Sequence, residues 1–222
     1  GLQATVAAAQ ARTGGQTTGT TPVTISTHVH DLAQPAAAAA LLAEVQAAHG
    51  RATVLVNNAG VAVGGSFSQV DEADFDWLMA VNFGAVVRLT RAFLPLLQAQ
   101  PAAQIVNVSS IFGIIAPPGN TAYCASKFAV RGFSESLRHE LDMADSPVRL
   151  TVVHPGGVRT AIAENARAPR SASADELAAQ KETWRRLLAL PAEDAAAIIL
   201  RGIERREARV LVGQDAVRAA WV

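Results

Sequence analysis

Tyr123, the single tyrosine of the chain, stands four residues before Lys127 in the run Thr121-Ala122-Tyr123-Cys124-Ala125-Ser126-Lys127. On a helix that spacing stacks the two side chains on one face, a turn apart. An ammonium beside a phenol stabilises the phenolate and lowers a pKa that is ordinarily ~10. A phenol tuned in this way can exchange protons near neutral pH. The same spacing occurs in many helices without chemistry, so its weight depends on the elements around it.

Those elements alternate. Gln104-Ile105-Val106-Asn107-Val108-Ser109-Ser110 is a β-branched run that delivers two hydroxyls at its end. In an open α/β sheet the carboxyl ends of strands are where ligands gather. Thr53-Val54-Leu55-Val56 runs into Asn57-Asn58-Ala59-Gly60, and Arg149 to His154 runs into Pro155-Gly156-Gly157-Val158-Arg159-Thr160. Between the first two, Asp71 to Gln98 has helical periodicity, with Phe75, Leu78, Met79, Val86, Leu89, Phe93 and Leu97 as its apolar stripe and Asn82 inside it. Strands are expected at 23–30, 52–58, 104–109, 149–154 and 208–212, with helices at 2–12, 71–98 and 121–143. The alternation predicts one α/β domain over 1–222, a parallel sheet with helices on both faces.

The ordered motifs N-N-A-G, V-N within a helix, S-S, Y-x-x-x-K and P-G-x-x-x-T resemble the short-chain dehydrogenase/reductase family over residues 23–215. Ser110 and Asp31-Leu32 stand at the family's separations from Tyr123 and from Asn58. The resemblance implies a Rossmann-type doubly wound sheet, NAD or NADP as cofactor, and interconversion of a secondary alcohol and a ketone. It makes Tyr123 the acid or base and Lys127 its tuner and a contact of the nicotinamide ribose. Ser110 would hold the substrate oxygen, and Asn82 would help carry a proton-relay water. It assigns cofactor contacts to Asp31, Leu32, Asn58, Ala59, Gly60, Pro155, Gly156, Val158 and Thr160, besides Tyr123 and Lys127. It further implies a homodimer or homotetramer through the 71–98 and 121–143 helices, and makes 161–190 a mobile substrate lid. The family's sheet also has two strands and a glycine-rich phosphate loop ahead of 23–30. Thr13-Gly14-Gly15-Gln16-Thr17-Thr18-Gly19-Thr20 carries threonine at the last two glycine positions and follows a helix, so it is expected to be an ordinary loop. Those two strands and their loop are therefore expected before Gly1. Two alternatives stay open: a non-catalytic relative without nucleotide binding, and non-redox chemistry on the same scaffold.

Composition narrows the remaining classes. Formal net charge is zero, and with no Lys/Arg-rich run a nucleic-acid or anionic-membrane surface is not expected. No uninterrupted apolar stretch reaches ~20 residues, the length a bilayer crossing requires. Cys124 is the single cysteine, read as core filler in a reduced, cytoplasmic protein. His28 and His30 share a strand face, but without a third ligand they are read as structural rather than metal-binding. His154 is read as a packing or polar-lining residue rather than an acid or base. Asp71, Glu72, Asp74 and Asp76 suit a helix N-terminus, and the arginines from Arg185 onward suit solvated faces.

Overall fold

A computed structural model describes residues 2–13, 23–169 and 171–221. In chain order they form α1 (Leu2–Thr13), α2 (Ala37–His49), β1 (Val54–Asn57), α3 (Glu72–Met79), α4 (Ala85–Gln98), β2 (Ala103–Val108), α5 (Thr121–Met143), β3 (Val148–Pro155) and β4 (Val158–Arg159). These are followed by α6 (Ala174–Leu187), β5 (Leu190–Pro191), α7 (Ala192–Glu204), β6 (Arg209–Val212) and α8 (Gln214–Ala219). The main sheet is parallel, in the order β1-β2-β3-β6. This is the α/β architecture expected from the alternating pattern, and of the Rossmann type that the resemblance implied.

β2 shows why the sheet is sandwiched. Its residues Ala103 to Asn107 are all buried, the signature of a strand covered on both faces. Successive side chains point to opposite faces, so Ile105 joins Leu89, Phe93, Leu97, Leu141 and Leu150 beneath α4 and α5. Val106 joins Val153, Val210, Val212 and Ala195 beneath α7 on the other side. α4 contributes Val86, Leu89, Phe93 and Leu97 at helical spacing, so its apolar stripe lies along the sheet. The helical run Glu72–Gln98 is long and apolar enough, by length and composition, to cross a membrane. Its buried stripe packs against the sheet of this domain instead.

Residues 23–30 are not a strand. A strand needs a ladder partner, and among the described residues none lies beside this segment. It is tied to α2 by side chains: His28 Nδ1 and His30 Nε2 both meet Glu44 Oε2, at 2.7 and 3.0 Å, and Ser26 Oγ meets His49 Nε2 at 2.8 Å. The third group that the two histidines lacked in the linear pattern is thus a carboxylate from α2, and both imidazoles bond to it. The Thr13–Thr20 loop falls outside the described residues from Gly14 onward. β4 and β5, a two-residue ladder pairing Val158 with Leu190, were not anticipated. They fasten the segment after Pro155 to the end of the expected lid. Within that lid, α6 opens with a reciprocal cap between Ser173 and Glu176.

Leu97 is completely buried between α4 and the sheet. Leu97→Ala should destabilise the natural protein by about 2–5 kcal/mol in chemical denaturation. A loss under ~1 kcal/mol would show that α4 is not packed as described.

Candidate active site

The end of β2 and the start of α5 are joined by three contacts. Ser109 Oγ donates to the Lys127 carbonyl at 2.8 Å, and Lys127 Nζ donates to the Val108 carbonyl at 3.1 Å. Gly113 closes the joint, since a Cβ there would sit 2.8 Å from the Lys127 carbonyl oxygen. Only glycine permits that approach. Ser110 follows at the strand's end, where its side chain caps the short 3-10 turn Ile111–Gly113 by accepting from Phe112 N at 3.1 Å. Tyr123 lies in the first turn of α5, its phenol beside the Ser110 side chain and its ring centroid 5.6 Å from Lys127 Nζ. The helix thus stacks the pair as the spacing predicts, and the strand end brings the serine to the phenol.

Asn82 arrives by a different device. Residues Ala80–Gly84 form a π-helical turn between α3 and α4. Such widened turns are rare and recur at functional sites. The turn directs Asn82 inward, where Oδ1 accepts from Val61 N at 2.8 Å and Nδ2 donates to Val61 O at 3.0 Å and to Ser126 Oγ at 3.1 Å. Ser126 Oγ in turn donates to the Tyr123 carbonyl at 2.8 Å. The buried amide therefore couples the loop after β1 to α5, and its cost of burial is offset by full hydrogen bonding. Gly60 lies against this cluster, the place of its absent Cβ being 3.5 Å from Asn82 Oδ1 and 3.6 Å from Lys127 Nζ.

Burial, not charge, dominates the ionisation of the pair. Lys127 is 3% exposed, and burial pushes its ammonium down to about 8. Burial likewise pushes the Tyr123 phenol up to about 12, against the opposing pull of its Ser110 hydrogen bond. The lysine was expected to lower the phenol. In the cofactor-free chain desolvation of the phenol outweighs the neighbouring ammonium. Cys124 is buried and its thiol is pushed up by burial, which suits filler rather than a nucleophile.

One cavity of about 1020 Å³ takes in Ser110, Tyr123 and Lys127 together with Asn58, Gly60, Pro155, Gly156, Val158 and Thr160. Ala59 lies between two of these lining residues but is not itself part of the wall. Asp31 and Leu32 stand apart. Asp31 holds its own turn, accepting from Ala33 N at 3.0 Å and Gln34 Nε2 at 3.2 Å, and these bonds keep its carboxyl below the usual range. The Leu32 carbonyl accepts from Arg88 Nη2 at 2.7 Å, and the same nitrogen reaches the Ala80 carbonyl at 3.0 Å. Arg88 thus anchors the 31–33 turn to the π-turn that carries Asn82.

Three supports stand behind the site, and the linear pattern gave a part only to the last of them, His154, as packing or lining. Gly113 is one. The second is a buried polar row in which Asn57 Nδ2 donates to Asn107 Oδ1 at 2.8 Å and Asn107 Nδ2 to Ser134 Oγ at 2.9 Å. Its signal was present in the matching Val-Asn at the ends of two strands, which the sheet sets in register. The third is His154, fully buried, with Nδ1 3.0 Å from the Ser110 carbonyl and Nε2 without a hydrogen-bond partner. Burial pushes this imidazole down to about 4, against the Ser110 carbonyl and aided by the positive charge of Arg209 and Arg131. It is neutral at pH 7, and since a carbonyl only accepts, the proton sits on Nδ1.

Comparison with known proteins agrees with this fold. Residues 3–171 match the family model of the short chain dehydrogenases, and the chain belongs to that family. It is 43% identical over 187 residues to SadH of Mycobacterium tuberculosis, named as an oxidoreductase, a match covering 84% of this chain and 67% of that one. Among solved structures, it resembles a short chain dehydrogenase/reductase from Burkholderia phymatum in complex with NAD. There the TM-score is 0.78 at 31% identity, over 86% of this chain and 72% of the other. A metagenomic short-chain oxidoreductase in complex with NADP matches at 41% identity and TM-score 0.54, over 58% of this chain and 57% of that one.

The His154 arrangement makes stability depend on pH. An unfolded imidazole takes its proton near ~6.5, the folded one only near 4. Its contribution is intact above ~6.5 and is lost as pH falls toward 4, roughly 3 kcal/mol in all. Denaturation of the natural protein at pH 7 and pH 5 should show part of this loss. His154→Gln, which keeps a donor for Ser110 O, should flatten the difference; an unchanged pH slope would contradict it.

Proposed function

We propose that the chain forms the catalytic body of a nicotinamide-dependent oxidoreductase interconverting a secondary alcohol and a ketone. The observation that carries this reading is the Tyr123 phenol, beside the Ser110 side chain and one helical turn from buried Lys127, on the wall of a cavity shared with the Asn58–Gly60 and Pro155–Thr160 segments. The residues fit the nicotinamide-ribose half of NAD or NADP. Lys127 is an ammonium with three donors and one protein acceptor, the Val108 carbonyl, and it faces the bare Cα of Gly60, a donor set suited to a ribose diol. Asn58, Ala59 and Gly60 would flank the adenosine-side ribose. Pro155, Gly156, Val158 and Thr160 would hold the carboxamide end. Asp31 and Leu32 would take the adenine; Asp31 is exposed, and its carboxylate keeps acceptor sites beyond the two its own turn uses.

The nicotinamide ring, when bound, supplies or accepts the hydride. Ser110 fixes the substrate oxygen and stabilises the charge that develops on it. Tyr123 gives its proton to that oxygen in reduction and removes it in oxidation. With its phenol at about 12, Tyr123 is protonated and ready to act as the acid. Acting as the base requires more positive charge nearby than Lys127 alone provides. Asn82 keeps α5 and the loop after β1 in place around Lys127 and would help hold a water connecting that ammonium to solvent. The substrate is a small molecule, and a cytoplasmic setting goes with this reading.

Tyr123 is the single phenol of residues 1–222, so tyrosinate absorbance reports on it directly. Its pKa should lie near 12 without cofactor and below ~10 with oxidised cofactor bound. Lys127→Met should prevent that drop, and Tyr123→Phe should abolish alcohol oxidation. A phenol still at or above ~10 with oxidised cofactor bound would remove Tyr123 as the base.

Association belongs to the same reading. On α5, Val130 and Leu141 are buried against the domain while Phe128 and Met143 are exposed on other sides. A helix apolar on more than one side calls for a second partner. The natural protein should sediment as a dimer or tetramer at micromolar concentration, and a monomeric mass would contradict this.

A further inference from the structure

The walls of the cavity beyond Ser110 and Tyr123 carry information about what enters it. Phe112, next but one to Ser110, stands edge-on to Tyr123 with ring centroids 6.1 Å apart and an interplanar angle of 83°. Its other side meets Trp184 of α6, centroids 6.2 Å apart at 51°. Three rings therefore run in a row from the reacting phenol to the helix that covers the cavity. Ile115, Ile162, Leu187 and Leu188 extend the same wall. Trp184 and Leu188 are four residues apart, so one face of α6 is turned to the cavity. The opposite face carries Arg185 and Arg186, both paired with Glu182.

The charged residues on this cavity, apart from Lys127, are exposed or already paired. Arg167 is committed, with Nη1 2.7 Å from Asp74 Oδ1 and its guanidinium 3.3 Å above the Trp77 ring. Asp215 accepts from Gly157 N and Ala216 N. Glu164 and Lys181 border the cavity with opposite signs, and both are exposed. Among the described residues, the buried cation on the cavity is Lys127, already placed beneath the phenol. A substrate carboxylate or phosphate would enter without a buried partner, which is costly.

We propose that this site takes uncharged secondary alcohols and ketones bearing a bulky apolar group, a ring above all, seated against Phe112 and Trp184. The inference rests on the redox reading above and adds its substrate class. The reacting oxygen lies at Ser110 and Tyr123, and the apolar group lies along the ring row beneath α6. Phe112 couples the two ends, because its backbone N–H is held by the Ser110 hydroxyl while its ring forms part of the wall.

The test compares 2-butanone, 2-octanone, acetophenone and acetoacetate as substrates of the natural protein with NADH and NADPH. kcat/KM should rise about tenfold or more from 2-butanone to 2-octanone and acetophenone, since each methylene in an apolar pocket discriminates by about that factor. Acetoacetate should fall below 2-butanone. Trp184→Ala and Phe112→Ala should each collapse the ratio of acetophenone to 2-butanone. A flat or inverted size dependence, or acetoacetate preferred, would overturn the substrate class and leave the redox reading standing. Failure of every carbonyl to turn over would instead remove the redox reading. Saturation-transfer NMR then decides the pocket alone: acetophenone should show binding that Trp184→Ala weakens, and equal signals from acetophenone and acetoacetate would overturn the proposal.

Discussion

The joint between the end of β2 and α5 is the constraint from which the site follows. Lys127 can be buried because its Nζ reaches the Val108 carbonyl, and its own carbonyl is held by Ser109. Those bonds fix the rotation of α5, which sets Tyr123 one turn upstream, and they fix the strand end, which sets Ser110 one residue downstream. Serine and tyrosine meet because both are attached to the same lysine-centred joint. Gly113 and the Asn57–Asn107–Ser134 row reinforce it from either side.

Burial then gives the pair its character. The same dry environment that makes an ammonium reluctant to stay charged makes a phenol reluctant to become so, and the two groups shift toward neutrality together. A resting site of this kind stores a proton on oxygen and is sensitive to any added positive charge. His154 behaves alike on the far side of Ser110: it is kept neutral, with one nitrogen on a carbonyl. The site is thus surrounded by groups whose ionisation is suppressed, and small electrostatic changes have large leverage there.

Much of this was legible in the residues because local rules and tertiary context agree. β2 is β-branched and buried on both faces, and α5 runs over the range its pattern predicts. Ser110, Tyr123 and Lys127 converge because a strand end and a helix start are the two places their positions could occupy in a parallel sheet. Residues 23–30 show the limit. Their alternation favours a strand, yet a strand exists only with a ladder partner, and here His28 and His30 found Glu44 instead. The Asn82 turn was invisible for another reason. A π-turn differs from an α-turn by a shift in hydrogen-bond register, and no residue type in Ala80–Gly84 announces it.

That turn also acts as a phase adjuster along the Glu72–Gln98 run. One extra residue per widened turn rotates everything after it by about 100° relative to an uninterrupted helix. Leu78 before it and Leu89, Phe93 and Leu97 after it are all buried, so the rotation is already absorbed into how the helix lies in the core. The turn therefore cannot be regularised at constant length: an α-turn over the same residues would swing the whole Val86–Leu97 stripe off the sheet, whereas loss of one residue between Ala80 and Gly84 would let an ordinary turn form with the stripe still in phase. In this stretch the number of residues between two fixed stripes sets the width of the turn.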